Sequence, residues 1–345
     1  MRICFFGHPA HLWSGSSKFF ENLIEDIGCV TYFRPDAITV DHDLRLAIES
    51  NYDLYVFFQF DFLAYPFIAA GKKVAIVPMV DGSASYGSQH WKLLREGNFV
   101  SFSPKLHNFL RLQGIRSFNI TYWPIPFEYV PPTTESIYYW PRGHHGYIST
   151  LRILEATKDY PDLKLIVRAS NDPKSNLDYS RVQSNRLEVI TLESKVEHNL
   201  QIQQSSVFVA PRPSEGIGMS FLEAMSFGRA VLAINFPTMS DYIVNRRNGV
   251  FFPKANMHIT PGIQWTTIGK SAHESVVVGH QEFIERTPLL QDYLLAIKPT
   301  RHKFRIKEIH ALIDVSCSVL KREYVHTGKI RTLQNYVNLR KFLDL

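Results

Sequence analysis

The stretch PRPSEGIGMSFLEAMSFGRAVLA, residues 211–233, decides the reading of this chain. Just before it, SSVFVAP alternates and is rich in β-branched and aromatic residues, the pattern of a buried strand. After Gly218, apolar Met219, Leu222 and Met225 recur at helical spacing until Gly228 supplies a stop. Glu215 therefore falls in a strand-to-helix turn, and Glu223 on the helix that follows. Such a turn offers open backbone N–H groups and the positive end of a helix dipole, an anion site suited to a diphosphate. Gly216 and Gly218 let a ligand come close to the backbone. The two carboxylates stand eight residues apart, a helical rise of roughly 12 Å. That span matches the distance from a sugar, across a diphosphate, to a ribose. Carboxylates accept hydrogen bonds from hydroxyls, so Glu215 is placed to hold a sugar and Glu223 a ribose.

Outward from this stretch the chain alternates. Strand patterns RICFFG, CVTYF, DLYVFF, KVAIVPM, FVSFS and SFNITYW fill the first third, separated by helix-length segments such as SKFFENLIEDI and PKLHNFLRLQG. PIPFEYVPPTTES, with four prolines, reads as a linker. The alternation then restarts with IYYW, LKLIVRA, LEVITL, SVFVAP, AVLAIN and GVFF. Strands alternating with helices predict an α/β chain of two doubly wound, Rossmann-like parallel-sheet domains, with ligands at the carboxyl ends of the strands in a cleft between the two. The boundaries expected are 1–127, a linker at 128–137, 138–300, and C-terminal helices over 301–345 packing back on the first domain. Lys254–Ser271 lacks periodicity and reads as a loop, after which HQEFIERTPLLQDYLLAI and IKEIHALIDVSCSVLKREYV return as helices.

Composition excludes several classes. Of 345 residues 45% are hydrophobic and 20% charged, a globular balance with material for real cores. The aromatic share of 13% fits either large cores or a surface that meets something greasy. Three scattered cysteines point to a reducing compartment, hence the cytoplasm, and have no zinc spacing. MRICFFG is followed at once by polar residues, so no secretory leader is expected, and the most apolar run carries Gln59, Asp61 and Pro66, which disfavours a membrane span. A net charge of +6 favours anionic ligands or an anionic membrane surface over no partner at all only weakly, because basic solvated faces are common. No nucleic-acid partner is expected.

The segment from Ser206 to Phe252 resembles the donor site of family 4 retaining glycosyltransferases, which have the GT-B fold. The matching words are Pro213-Ser214, Glu215-Gly216-Ile217-Gly218, Glu223-Ala224-Met225, Gly228, Ala230-Val231 and the Asn248-Gly249 turn. The resemblance implies transfer of a sugar from a nucleotide diphosphate donor to a glycan or lipid-linked acceptor, with no essential cofactor or metal. Glu223 would hold the ribose, Glu215 the donor sugar, and the turn Ser214 to Met219 the sugar and phosphates through its amides. In the family an Arg and a Lys-Gly in the first turn of the second domain grip the diphosphate. Here Arg142 stands for the arginine, and His144 or His145 replaces the lysine. Arg168, at the end of LKLIVRA, either adds the missing cation or makes a surface salt bridge. Gly15 lies in the glycine-bearing loop expected near the donor phosphates, and Asp81 where a polar residue often flanks the reacting sugar, although an Asp-Gly turn explains it as well. Asp41-His42-Asp43 resembles a metal motif, but its place before a helix makes an N-cap the better reading. A non-catalytic nucleotide-sugar or glycan-binding protein and a sugar epimerase of the same fold are the alternatives. Finally, Leu106, Phe109 and Leu110 form one stripe of a basic helix, with Lys105, His107 and Arg111 off it. That pattern suits either packing on a sheet or docking of the enzyme on an anionic bilayer.

Overall fold

The structure, a computed structural model, describes residues 1–83, 86–141, 148–169, 182–253, 257–300 and 304–326. It forms two compact units, one of Met1–Thr121 with the chain from Ile284 onward, the other of Tyr122–Phe283. Both are α/β, each built on one all-parallel sheet.

In the first unit the strands are β1 (Arg2–Gly7), β2 (Cys29–Phe33), β3 (Leu54–Phe58), β4 (Val74–Val77), β5 (Asn98–Ser101) and β6 (Arg116–Asn119), in the order β2-β1-β3-β4-β5-β6. Parallel strands covered on both faces must be apolar nearly throughout, and all five residues of β3 are buried. The excess of phenylalanine is spent here. Phe5, Phe6, Phe57, Phe58, Phe67 and Phe99 are fully enclosed, and Phe6 stacks on Phe57 at 4.8 Å between ring centroids. The strand expected over residues 117–123 stops at Asn119. The helix Pro104–Leu112 buries Leu106 and Leu110, so its apolar stripe is committed to the protein. The helix Ile306–His326 lies in this unit, burying Ile309, Ile313 and Cys317. It meets the helix Val40–Glu49, where Arg45 Nη2 donates to Asp314 at 2.5 Å. Asp41 and Asp43 sit inside the first turn of that helix, whose N-cap is Thr39. Their N-cap reading is therefore off by a turn position, and Asp41 instead accepts from Arg45 Nε at 3.0 Å.

The second unit carries β7 (Thr134–Tyr139), β8 (Lys164–Arg168), β9 (Leu187–Ile190), β10 (Ser205–Val209), β11 (Ala230–Ala233) and β12 (Val250–Phe251), in the order β12-β11-β10-β7-β8-β9. Its core joins Ile137, Tyr139, Val207, Val209 and Leu232 from the sheet to Trp265 and Ile268. Two elements differ from the sequence reading. β7 begins at Thr134, inside the proline-rich stretch, because Thr134 already pairs with Ser205. A helix runs from Trp265 to Leu295, so Trp265–Ser271 is not loop. Thr266, Thr267 and Gly269 are poor helix formers, but Trp265, Ile268, Ala272 and Val276 recur at helical spacing and are buried. Packing overrides propensity there. Gly269 is needed for close approach, since a Cβ on it would lie 2.3 Å from the Gly228 carbonyl oxygen. Among the described residues no helix is long and apolar enough to cross a membrane.

Candidate functional site

In an open parallel sheet the ligand crevice opens at the carboxyl ends of the two strands where the order reverses, because loops leaving them diverge to opposite faces. In the second sheet these strands are β7 and β10. The decisive stretch leaves β10 at this point. After Ala210 and Pro211 the chain turns through Arg212–Gly218 and enters the helix Met219–Ser226. Gly218 has φ +85°, and a Cβ there would fall 1.9 Å from a ring carbon of Phe221. Only glycine fits. The Phe221 and Leu222 amides already donate to the Gly218 carbonyl, at 3.2 and 3.1 Å, so the open amides at the positive end of the dipole are those of Met219 and Ser220. From behind, the buried Thr238 hydroxyl donates to the Glu215 carbonyl and, at 3.3 Å, to that of Gly216, so the turn is fixed by hydrogen bonds rather than left as a loose loop.

Glu215 is buried, and its Oε2 lies 3.5 Å from Arg212 Nη1. Ile217 is buried beside it, while Ser214 and Met219 are half-buried. Glu223 lies one turn into the helix and is half-buried, with Oε1 3.7 Å from Lys195 Nζ. Lys195 is largely exposed, so this pair contributes little to stability and leaves Glu223 able to exchange partners. Burial pushes the Tyr122 phenol up to about 12, and the negative charge of Glu223 adds to it. Glu215–Gly218 is turn and only Met219–Glu223 is helical, so a helical rise does not measure the whole interval between the carboxylates.

Arg168 ends β8 on the same carboxyl edge. It makes no salt bridge among the described residues. Its guanidinium lies over the Trp140 ring, 4.6 Å from the centroid, and Nη2 donates to the Leu192 carbonyl at 3.1 Å. Trp140 in turn meets His198 edge-on at 4.8 Å, and the His198 Nδ1 is hydrogen-bonded to the Tyr138 hydroxyl at 2.8 Å. Burial pushes that phenol up. Arg142, His144 and His145 lie outside the described residues.

The remaining two candidates belong to the first unit. Gly15 closes the short helix His11–Ser14 in the left-handed region, φ +64°. Asp81 is half-buried in the helical turn Val80–Ser83 that follows β4. The first sheet reverses its strand order at β1 and β3, and sequence reasoning missed what stands there. His11, after β1, bonds Gln59, after β3, with Nε2 to Oε1 at 2.7 Å, while its Nδ1 meets the Ser16 hydroxyl at 2.6 Å. Gln59 adopts φ +62°, rare for a side chain of its kind. Asp61, buried, holds His90 Nε2 at 2.7 Å. No spacing rule links residue 11 to 59 or 61 to 90. The usable signal was a polar residue directly after an apolar strand. Among the described residues no group of three or more His, Cys, Asp or Glu is placed to hold a metal ion.

Comparison with known proteins bears on the second unit first. Residues 139–260 match the model of the family described as "Glycosyl transferases group 1". That interval contains β7 to β12 and the whole Arg212–Ser226 region. No curated protein sequence matches the chain. Among solved structures, the sucrose-phosphate synthase tll1590 of Thermosynechococcus elongatus is similar over 86% of this chain and 99% of its own, at 14% identity and a TM-score of 0.66. Anabaena Alr3699/HepE, solved in complex with UDP and glucose, is similar over 84% of this chain and 100% of its own, at 15% identity and a TM-score of 0.57. The lipopolysaccharide outer core galactosyltransferase WaaB, in its apo form, is similar over the full length of both chains at 15% identity and a TM-score of 0.55. The second unit thus contains the stretch that matches the glycosyltransferase group 1 model, and the two parallel-sheet units have the GT-B fold of these structures.

Proposed function

We propose that the chain transfers a sugar, with retention of configuration, from a nucleotide diphosphate sugar to a hydroxyl of a glycan or lipid-linked acceptor, in the manner of family 4. The observation that carries this reading is the stretch Arg212–Glu223, whose turn and first helical turn bring two carboxylates, two glycines and the open end of a helix to the reversal point of the second sheet. Glu223 holds the ribose and Glu215 the donor sugar. The amides from Gly216 to Met219 meet the phosphates, with Ser214 and Ile217 lining the turn. Arg142, His145 and Arg168 supply positive charge to the diphosphate, and Asp81 and Gly15 serve the reacting sugar and the phosphates from the first unit. The barrier is departure of the nucleoside diphosphate, so catalysis rests on stabilising its developing charge and holding the acceptor on the leaving-group face. The reaction needs no metal in this reading, runs in the cytoplasm, and serves surface polysaccharide or glycan synthesis.

That Alr3699/HepE was solved with UDP-glucose as well as UDP supports a nucleotide sugar as the donor class. The test is a panel of UDP-, GDP-, ADP- and dTDP-sugars, read first by thermal shift and then by release of nucleoside diphosphate. A donor raises the melting temperature by mass action and is consumed. Stabilisation without release would instead mark a binding protein, and a changed sugar still attached to its nucleotide would mark an epimerase.

A further inference from the structure

The turn at the reversal point of the second sheet contains a guanidinium with no hydrogen bond among the described residues. Arg212 presents five N–H donors. Among the described residues its one charged contact is Nη1 to Glu215 Oε2 at 3.5 Å, beyond hydrogen-bond range. Its Nε is buried and has no acceptor, and only 25% of the side chain is open to solvent. An unsatisfied buried donor gives up its hydration without compensation, and folded chains rarely keep one without a reason. Among the described residues no oxygen is hydrogen-bonded to its terminal nitrogens.

The surroundings select what would complete it. Gly216 and Gly218 clear the backbone, and the first-turn amides of the helix Met219–Ser226 bring positive potential to the same turn. Glu215 anchors one edge of the guanidinium by charge without consuming its hydrogen-bonding capacity. A planar fork held in this way is suited to two oxygens of one anion, because guanidinium contacts to phosphate and carboxylate are bidentate. We infer that Arg212 is a ligand-holding residue, whose guanidinium takes a pair of anionic oxygens of the bound nucleotide sugar. This rests on the reading of the turn as a donor site. The oxygens belong either to the diphosphate or to a carboxylate on the transferred sugar, and the two sources are separable by experiment.

Calorimetric titration of uridine, UDP, UDP-glucose and UDP-glucuronate into the full chain and into Arg212→Gln makes the separation, with guanosine and adenosine counterparts run alongside. A lost hydrogen bond to a charged group should weaken the affected ligand roughly 10- to 100-fold, with uridine unchanged. Loss shared by UDP and both sugars assigns the oxygens to the diphosphate. Loss confined to UDP-glucuronate assigns them to the sugar carboxylate, and makes the enzyme selective for acidic sugars. Equal affinities in variant and parent, or an equal loss for uridine, would overturn the inference. Arg212→Lys, which keeps the charge and removes the fork, decides the matter if the glutamine variant does not fold: parental affinities throughout would again overturn it. A parent that binds no member of the panel defeats the donor-site reading itself, a different result from a parent that binds and a variant that binds equally.

Discussion

At the scale of single residues, one glutamate and one histidine make the sharpest demands. On the proposed ribose role, whose contacts are equal in the ground and transition states, Glu223→Ala should raise the donor KM roughly 10- to 100-fold, the worth of a hydrogen bond to a charged group, and leave kcat nearly unchanged. Steady-state kinetics checks it, and an unchanged KM would remove Glu223 from the ribose. His11 gives a pH signature. Burial takes its imidazole from the ordinary 6.5 down to about 4, the Gln59 hydrogen bond opposing and the neighbouring His8 adding to the fall. As pH drops the unfolded chain gains this proton first. Stability is therefore full above about pH 6.5, declines between there and about pH 4, and the loss is bounded by about 3 kcal/mol. The melting temperature should fall less on acidification in His11→Gln than in the parent. Identical pH dependences would place the effect elsewhere.

At the scale of elements, legibility followed how local the cause was. The turn Arg212–Gly218 was readable because its strand, glycines and helix are contiguous in sequence. Gly218→Ala should be severe, since it forces a left-handed alanine and drives Cβ into Phe221; the expected loss is on the order of 2 kcal/mol together with weaker donor binding. Thermal melting with and without UDP measures both. The start of the helix Trp265–Leu295 was not readable from propensity, because its threonines and glycine argue against helix and only the stripe of Trp265, Ile268, Ala272 and Val276 argues for it. If that stripe carries the element, Ile268→Ala should cost about 2–5 kcal/mol through the cavity it leaves. A loss below 1 kcal/mol in denaturant unfolding would show that the first turns are held by something else. The His11–Gln59 and Asp61–His90 pairs were hidden for a related reason. Their partners come from different strand-end loops, and only the strand order brings them together.

At the scale of the whole molecule, what remains is the meeting of a mildly basic chain with its acceptor. The formal charge is +6, yet the helix Pro104–Leu112, whose pattern also suited a bilayer, turns Leu106 and Leu110 into the protein and leaves Lys105 and Arg111 exposed. An interfacial helix binds by inserting apolar side chains and by charge, and here Leu106 and Leu110 are already used in folding, which leaves Leu112 alone as an exposed leucine at the helix end. Attraction to an anionic lipid surface then rests chiefly on charge, worth about 1 kcal/mol per basic residue near the surface and confined to a Debye length. Membrane association by this enzyme is thus expected to be weak, to require anionic lipid and to disappear at high salt. Sedimentation with anionic and neutral liposomes, at low and high ionic strength, reads all three properties. Binding that survives salt or extends to neutral vesicles would require an apolar docking surface other than this helix, and binding to neither would point to a soluble acceptor.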